Sequence, residues 1–121
     1  TDAQVAETIR RVFADKHYLC DTHTAVAVQV YEKYRTRTDD TTPTVIASTA
    51  SPYKFAPAIL SALGETVPEQ PYDQLTALQR VTGTHIPQPL ASLRGKAVRF
   101  TDVCAGDTAG MQQTVCRLLQ L

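Results

Sequence analysis

Between Asp2 and Lys16, apolar residues Val5, Ile9, Val12 and Phe13 follow one another at spacings of four, three and one. That spacing puts them on one face of a helix. Tyr18-Leu19-Cys20 then reads as a short extended stretch, and Asp21-Thr22-His23-Thr24 is rich in capping residues. An apolar run follows it, so a second helix starts near Thr22 to Thr24 and continues to about Tyr34. With Ala25, Val26, Ala27, Val28, Val30 and Tyr31 it is apolar almost all round, which predicts a largely buried helix.

Residues 36–43 are polar and turn-rich, a surface loop. Thr44-Val45-Ile46-Ala47-Ser48-Thr49 is short and β-branched, the pattern of a strand buried on both faces of a parallel sheet. Ser51-Pro52 opens a third helix, Tyr53 to Leu63, that Gly64 closes. A fourth spans about Tyr72 to Thr82, closed by Gly83. Thr84 to Gly95, with Pro87 and Pro89, reads as loop with one helical turn at Pro89 to Leu93. Ala97 to Thr101 is a second strand candidate, and Asp107 to Gln120 a last helix with Met111, Val115, Leu118 and Leu119 on one face.

Strands alternating with helices predict an α/β fold: a few-stranded, mostly parallel sheet flanked by helices, as a single unit over residues 1–121. Two strands are few for an independent sheet, which points to part of a larger fold.

Composition narrows the partners. Lys+Arg and Asp+Glu number 12 each, so the formal net charge is zero, and the bases are dispersed. Such a chain has no electrostatic pull on nucleic acid or on an anionic membrane. No window approaches the ~18 apolar residues of a membrane span. Thr1-Asp2-Ala3-Gln4 has neither an initiator methionine nor the regions of a signal peptide, which implies processing or a start inside a longer protein. Cys20, Cys104 and Cys116 cannot all pair within one chain and form no Cys-x-x-Cys motif. They read as free thiols of a cytoplasmic protein.

Chemistry-bearing residues are sparse. His17 ends the first helix, where a cation suits the helix dipole, and His85 lies in the proline-containing loop. No His or Cys stands at metal-ligand spacing from either. His23 sits at the mouth of the second helix, where free N–H groups either bind an anion or are simply capped. Ser48 to Phe55 follows the expected strand, where open α/β sheets place ligands; a turn with a helix cap fits the same residues. Lys54, in the first turn of a helix, lacks the desolvated pocket that a cofactor-bearing lysine needs.

Asp21-Thr22-His23-Thr24-Ala25-Val26-Ala27 resembles the Asp-Pro-His-Thr-Ala-Val stretch of bacterial and fungal threonine synthases. Thr49-Ala50-Ser51-Pro52-Tyr53-Lys54-Phe55 is similar to that family's Thr-Ala-His-Pro-Ala-Lys-Phe. Thr82-Gly83-Thr84-His85-Ile86-Pro87, Pro89-Leu90-Ala91 and Val98-Arg99-Phe100 are similar to its C-terminal end. Thr22 and Ser51 depart from the family's Pro and His.

The resemblance implies the C-terminal portion of a fold type II pyridoxal-phosphate enzyme, one that converts O-phospho-L-homoserine and water to L-threonine and phosphate. It implies that the cofactor lysine and phosphate loop belong to a missing N-terminal half. Thr49 is then the cofactor-binding residue, its neutral hydroxyl facing the pyridine nitrogen. The isolated chain is expected to be inactive and to self-associate through apolar surface left exposed. An independent small-anion-binding module and a purely structural domain are the alternatives.

Overall fold

A computed structural model describes residues 1–99 and 101–120. Among these residues six α-helices run in the order α1 (Asp2–Lys16), α2 (Thr22–Thr38), α3 (Ala56–Leu63), α4 (Pro71–Thr82), α5 (Gln88–Ala91) and α6 (Thr108–Leu119), with a 3₁₀ turn at Pro52–Phe55 leading into α3.

Each helix begins and ends for a local reason. In α1 the Thr1 side chain and Gln4 form a reciprocal capping box, and His17 closes the helix in the left-handed region at φ 51°. Asp21 caps α2 by accepting the N–H groups of His23 and Thr24. That helix runs four residues beyond Tyr34, and Asp39 closes it in the left-handed region at φ 53°. On its last turns the Thr36 and Thr38 hydroxyls donate to the carbonyls of Glu32 and Tyr34 (both 2.9 Å). Gly64 (φ 81°) and Gly83 (φ 68°) end α3 and α4 in a conformation that a side chain would strain. The turn expected at Pro89 to Leu93 forms as α5, beginning one residue earlier, at Gln88.

The core is centred on α3, whose Ala56, Ile59, Leu60 and Ala62 are all buried. Helix α1 packs on it with Ile9 and α4 with Leu78; α2 packs against α1 and adds Ala25 to the same core, while Leu19, Cys20 and Tyr53 fill the remaining space. The Arg10 guanidinium donates to the Ala62 carbonyl at 2.9 Å, fastening α1 to the C-terminal end of α3. Arg11 and Glu32 pair at 2.5 Å across α1 and α2, but both lie largely in solvent, where such a pair contributes little.

The expected α/β sheet is not there. Among the described residues no strand forms, and helices and loops make up the whole architecture. Residues 44–49 are extended without a ladder, and Val45 is 95% exposed. The second strand candidate fares the same: Val98 is 75% exposed, and Phe100 lies outside the described residues. A β-branched apolar run becomes a strand only when a neighbour supplies partners for its N–H and C=O groups. These two segments do not pair with each other, so the periodicity had no ladder to realise.

Helix α2 corrects a second expectation. Only Thr24 and Ala25 of it are buried, whereas Val26, Val30 and Tyr34 form an exposed stripe at spacings of four. Helix α6 has no buried residue, and its stripe of Met111, Val115, Leu118 and Leu119 faces outward.

Two tests follow from this packing. Ile59→Ala, at a site with no exposure, should cost about 2–5 kcal/mol in urea unfolding, because it removes buried methyl groups and leaves a cavity; the exposed Val45→Thr should stay within about 0.5 kcal/mol. The thiols should separate by reactivity. Cys104 is exposed, whereas burial pushes the Cys20 thiol up from its ordinary pKa and the neighbouring Asp21 charge pushes the same way. An alkylating reagent should therefore label Cys104 in the native protein and reach Cys20 only after denaturant is added.

Candidate functional site

The sequence-predicted residues converge at the N-terminal mouth of α2. Asp21 is fully buried there, and its carboxylate collects donors from two directions. Oδ1 accepts the His23 N–H at 2.9 Å and the Thr24 N–H at 3.3 Å, while the Thr24 hydroxyl donates to Oδ2. Ser48 arrives from the extended segment with its hydroxyl 3.5 Å from Oδ2 and 3.2 Å from the Thr24 oxygen. One carboxylate thus ties the helix mouth to the Ser48–Thr49 segment, 27 residues further along the chain.

The same segment is fastened again beyond Thr49. Ser51 caps the 3₁₀ turn by accepting the Tyr53 N–H at 3.3 Å. The buried Tyr53 hydroxyl donates to the Thr84 carbonyl and lies 2.9 Å from the Thr84 hydroxyl, which in turn meets Thr82 Oγ1 at 2.7 Å. Thr82-Gly83-Thr84, where α4 ends, is therefore the far anchor of the loop.

Thr49 sits between these two fastenings. It is exposed, and its hydroxyl has no hydrogen-bond partner among the described residues. The two departures from the family pattern have local explanations. Thr22 is the first residue of α2, the position where proline is also favoured. Ser51 is a cap that a hydroxyl fills by itself. Lys54 is exposed, as its place in the turn suggested.

His23 has a defined environment too. Its ring leans on Phe55, with centroids 5.1 Å apart and planes tilted by 58°. Nδ1 lies 3.3 Å from Asp21 Oδ1 and 3.5 Å from the Thr22 hydroxyl. His23 and Thr22 stand at the rim of a cavity of ≈530 Å³ walled by Val5, Ile9 and Val26 with Ala58 and Ala62. A second cavity of ≈670 Å³, between the far end of α2 and residues 39–46, holds none of the sequence-predicted site residues. His17 serves as the α1 cap and His85 is exposed. Among the described residues no group of three or more His, Cys, Asp or Glu side chains could hold a metal ion, and no helix is long and apolar enough to cross a membrane.

Sequence reasoning put Asp21 among the capping residues and missed its wider role. The available signal was the Asp21-x-x-Thr24 spacing ahead of a buried alanine, the mark of a cap whose own side chain is enclosed. Tyr53 carried no such signal, since its partner at Thr84 is 31 residues away.

Burial works to raise the Asp21 pKa, but the hydrogen bonds from the Thr24 hydroxyl and the His23 and Thr24 N–H groups outweigh it and hold the carboxyl below its ordinary 3.8. A depressed carboxyl contributes stability that is present above the unfolded-state value and lost as pH falls through the folded one. Asp21 should accordingly leave stability flat above about pH 4 and let it drop below. Asp21→Ala, which removes cap and network together, should cost about 2 kcal/mol or more and flatten that acid limb in unfolding titrations. Asp21→Asn should retain most of the cap.

Two comparisons bear on these residues. The family model described as "Threonine synthase, C-terminal" matches residues 24–115. Among curated proteins, "Threonine synthase-like 1" of Mus musculus is 30% identical over 123 residues, covering 99% of this chain and 16% of the relative. The chain thus spans about a sixth of that relative's length.

Proposed function

The chain belongs to the threonine synthase family, matching its C-terminal part, and from that premise we propose that it completes the cofactor site of a pyridoxal-phosphate enzyme that makes L-threonine and phosphate from O-phospho-L-homoserine and water. The observation that carries the reading is Thr49: an exposed, unpartnered hydroxyl on a segment pinned on both sides, inside the residues that match the family.

Thr49 fits what a pyridine nitrogen needs from a neutral partner. Its hydroxyl is free to form one hydrogen bond, and its backbone is fixed by the Ser48–Asp21 and Tyr53–Thr84 ties rather than by a sheet. Pyridoxal phosphate, when bound, supplies the electron sink for the reaction. A neutral hydroxyl brings no counter-charge to the ring nitrogen, so Thr49 stabilises its protonated form far less than a carboxylate would. That choice keeps the ring a weaker sink and restrains competing reactions.

The lysine and phosphate loop that complete the site belong, on this reading, to an N-terminal half of the protein. Exposed apolar stripes on α2 and α6 support it, because Val26, Val30 and Tyr34 with Met111, Val115 and Leu118 are the kind of surface another domain covers. In the chain by itself the same stripes favour self-association. The three unpaired thiols suit a reducing cytosol.

The 121-residue chain incubated with pyridoxal phosphate and O-phosphohomoserine should release no phosphate, and the longer protein that contains it should. In that longer protein Thr49→Val removes only the hydroxyl, which is worth about 1 kcal/mol, or ~3 if the ring nitrogen finds no other partner. Cofactor affinity should fall about 5- to 100-fold, with unfolding unchanged. Thr49→Asp should change the balance of side products. If wild type, Val and Asp proteins share one cofactor dissociation constant and one product distribution, Thr49 is a turn residue and the assignment is wrong.

A further inference from the structure

We propose that Asp21 and His23 form a carboxylate–imidazole pair, in which the buried carboxylate is a positioning residue that keeps the proton on His23 Nδ1 and leaves Nε2 as a proton acceptor open to solvent. The pair stands on geometry. Nδ1 lies 3.3 Å from Asp21 Oδ1, and the same oxygen accepts the His23 backbone N–H at 2.9 Å, so residue and ring are held by one atom. At that distance the carboxylate's negative charge favours a proton on Nδ1 over a bare lone pair, while the Thr22 hydroxyl, 3.5 Å away, is the other polar group at this nitrogen. The hydrogen bond made by one ring nitrogen decides which nitrogen carries the proton.

Phe55 fixes the ring from the other side, its centroid 5.1 Å away. The ring is nonetheless open: the His23 side chain is 69% exposed, whereas that of Asp21 has no exposure. An oriented base with a buried carboxylate behind it and solvent in front is the arrangement that proton transfer requires. The carboxylate also joins His23 to the proposed site. Asp21 Oδ2 is 3.5 Å from the hydroxyl of Ser48, the residue before Thr49.

The charged groups around the ring are few. Asp2 of α1 lines the cavity at whose rim His23 stands, and Lys54 follows Tyr53 in the turn that carries Phe55. Asp21 is the one whose oxygen lies against the ring.

The role as acceptor rests on the threonine synthase reading; the pairing of the two side chains does not. In that reaction water adds and phosphate departs, so protons must be taken up and released near the reacting carbons. His23 would accept one at Nε2 while its Nδ1 proton stays beside the Asp21 charge, and return it in the following step, so that protons balance over the cycle.

Nitrogen-15 NMR of the labelled chain, well above the imidazole's titration range, reads the tautomer directly. The wild-type chain should show neutral His23 with hydrogen mainly on Nδ1, and Asp21→Ala, which removes both oxygens, should return it to the Nε2–H form that a free imidazole favours. An Nε2–H ring in the wild type, or an Nδ1–H ring that survives Asp21→Ala in a folded chain, overturns the pair, and the wild-type spectrum decides even if the variant unfolds. In the longer protein, His23→Gln should lower kcat about 10²-fold or more and remove the acidic limb of its pH profile, with KM little changed. An unchanged pH profile overturns the acceptor role. A longer protein without any turnover of O-phosphohomoserine overturns the reaction reading and the acceptor role with it, while the tautomer still decides the pair.

Discussion

A carboxylate withdrawn from water loses several kcal/mol of solvation, which only well-placed donors offset. Asp21 is withdrawn completely, and its donors come from two backbone N–H groups, the Thr24 hydroxyl and the Ser48 hydroxyl. The backbone donors exist because α2 starts there: the first N–H groups of a helix have no partner within it. The Ser48 donor exists because the extended segment passes the helix mouth. Helix entry, segment position and buried charge therefore depend on one another. Cys20, buried immediately before, and Ala25, buried immediately after, seat this assembly against α3.

This explains how the 44–50 segment is placed without a sheet. Its outward residues, Val45 above all, gain nothing from burial, and among the described residues it has no ladder. What holds it is polar: Ser48 at the carboxylate, then Ser51 and Tyr53 toward Thr84. Such bonds are each worth about 1 kcal/mol, somewhat more where one partner is charged. They fix direction more than they add stability. Stability comes from Ile9, Ile59, Leu60 and Leu78, where α1, α3 and α4 meet.

The helices were legible in the sequence, since apolar spacing, Asp21, Gly64 and Gly83 each state a local rule that the chain obeys. The sheet was misread because β-branched runs record a side-chain preference, while a strand is a relation between two segments. Burial of α2 was misread for a related reason: Val26, Val30 and Tyr34 show which residues avoid water, not what stands opposite them. At the candidate site, the sequence pointed to Thr49 and to the His23 helix mouth, but not to the contacts around them. Asp21 to Ser48 and Tyr53 to Thr84 join residues 27 and 31 positions apart, and no local pattern encodes such distances.

The departures at Thr22 and Ser51 sharpen the division between holding the site and acting in it. A family histidine at position 51 would place an imidazole at the start of the turn; here a serine caps the turn, and its hydroxyl is already engaged with the Tyr53 N–H. On the other flank of the segment the nearest charged anchor is Asp21, which meets Ser48 at 3.5 Å and lies 3.3 Å from the His23 ring. The same carboxylate caps α2, so moving it would disturb helix entry, loop and imidazole together.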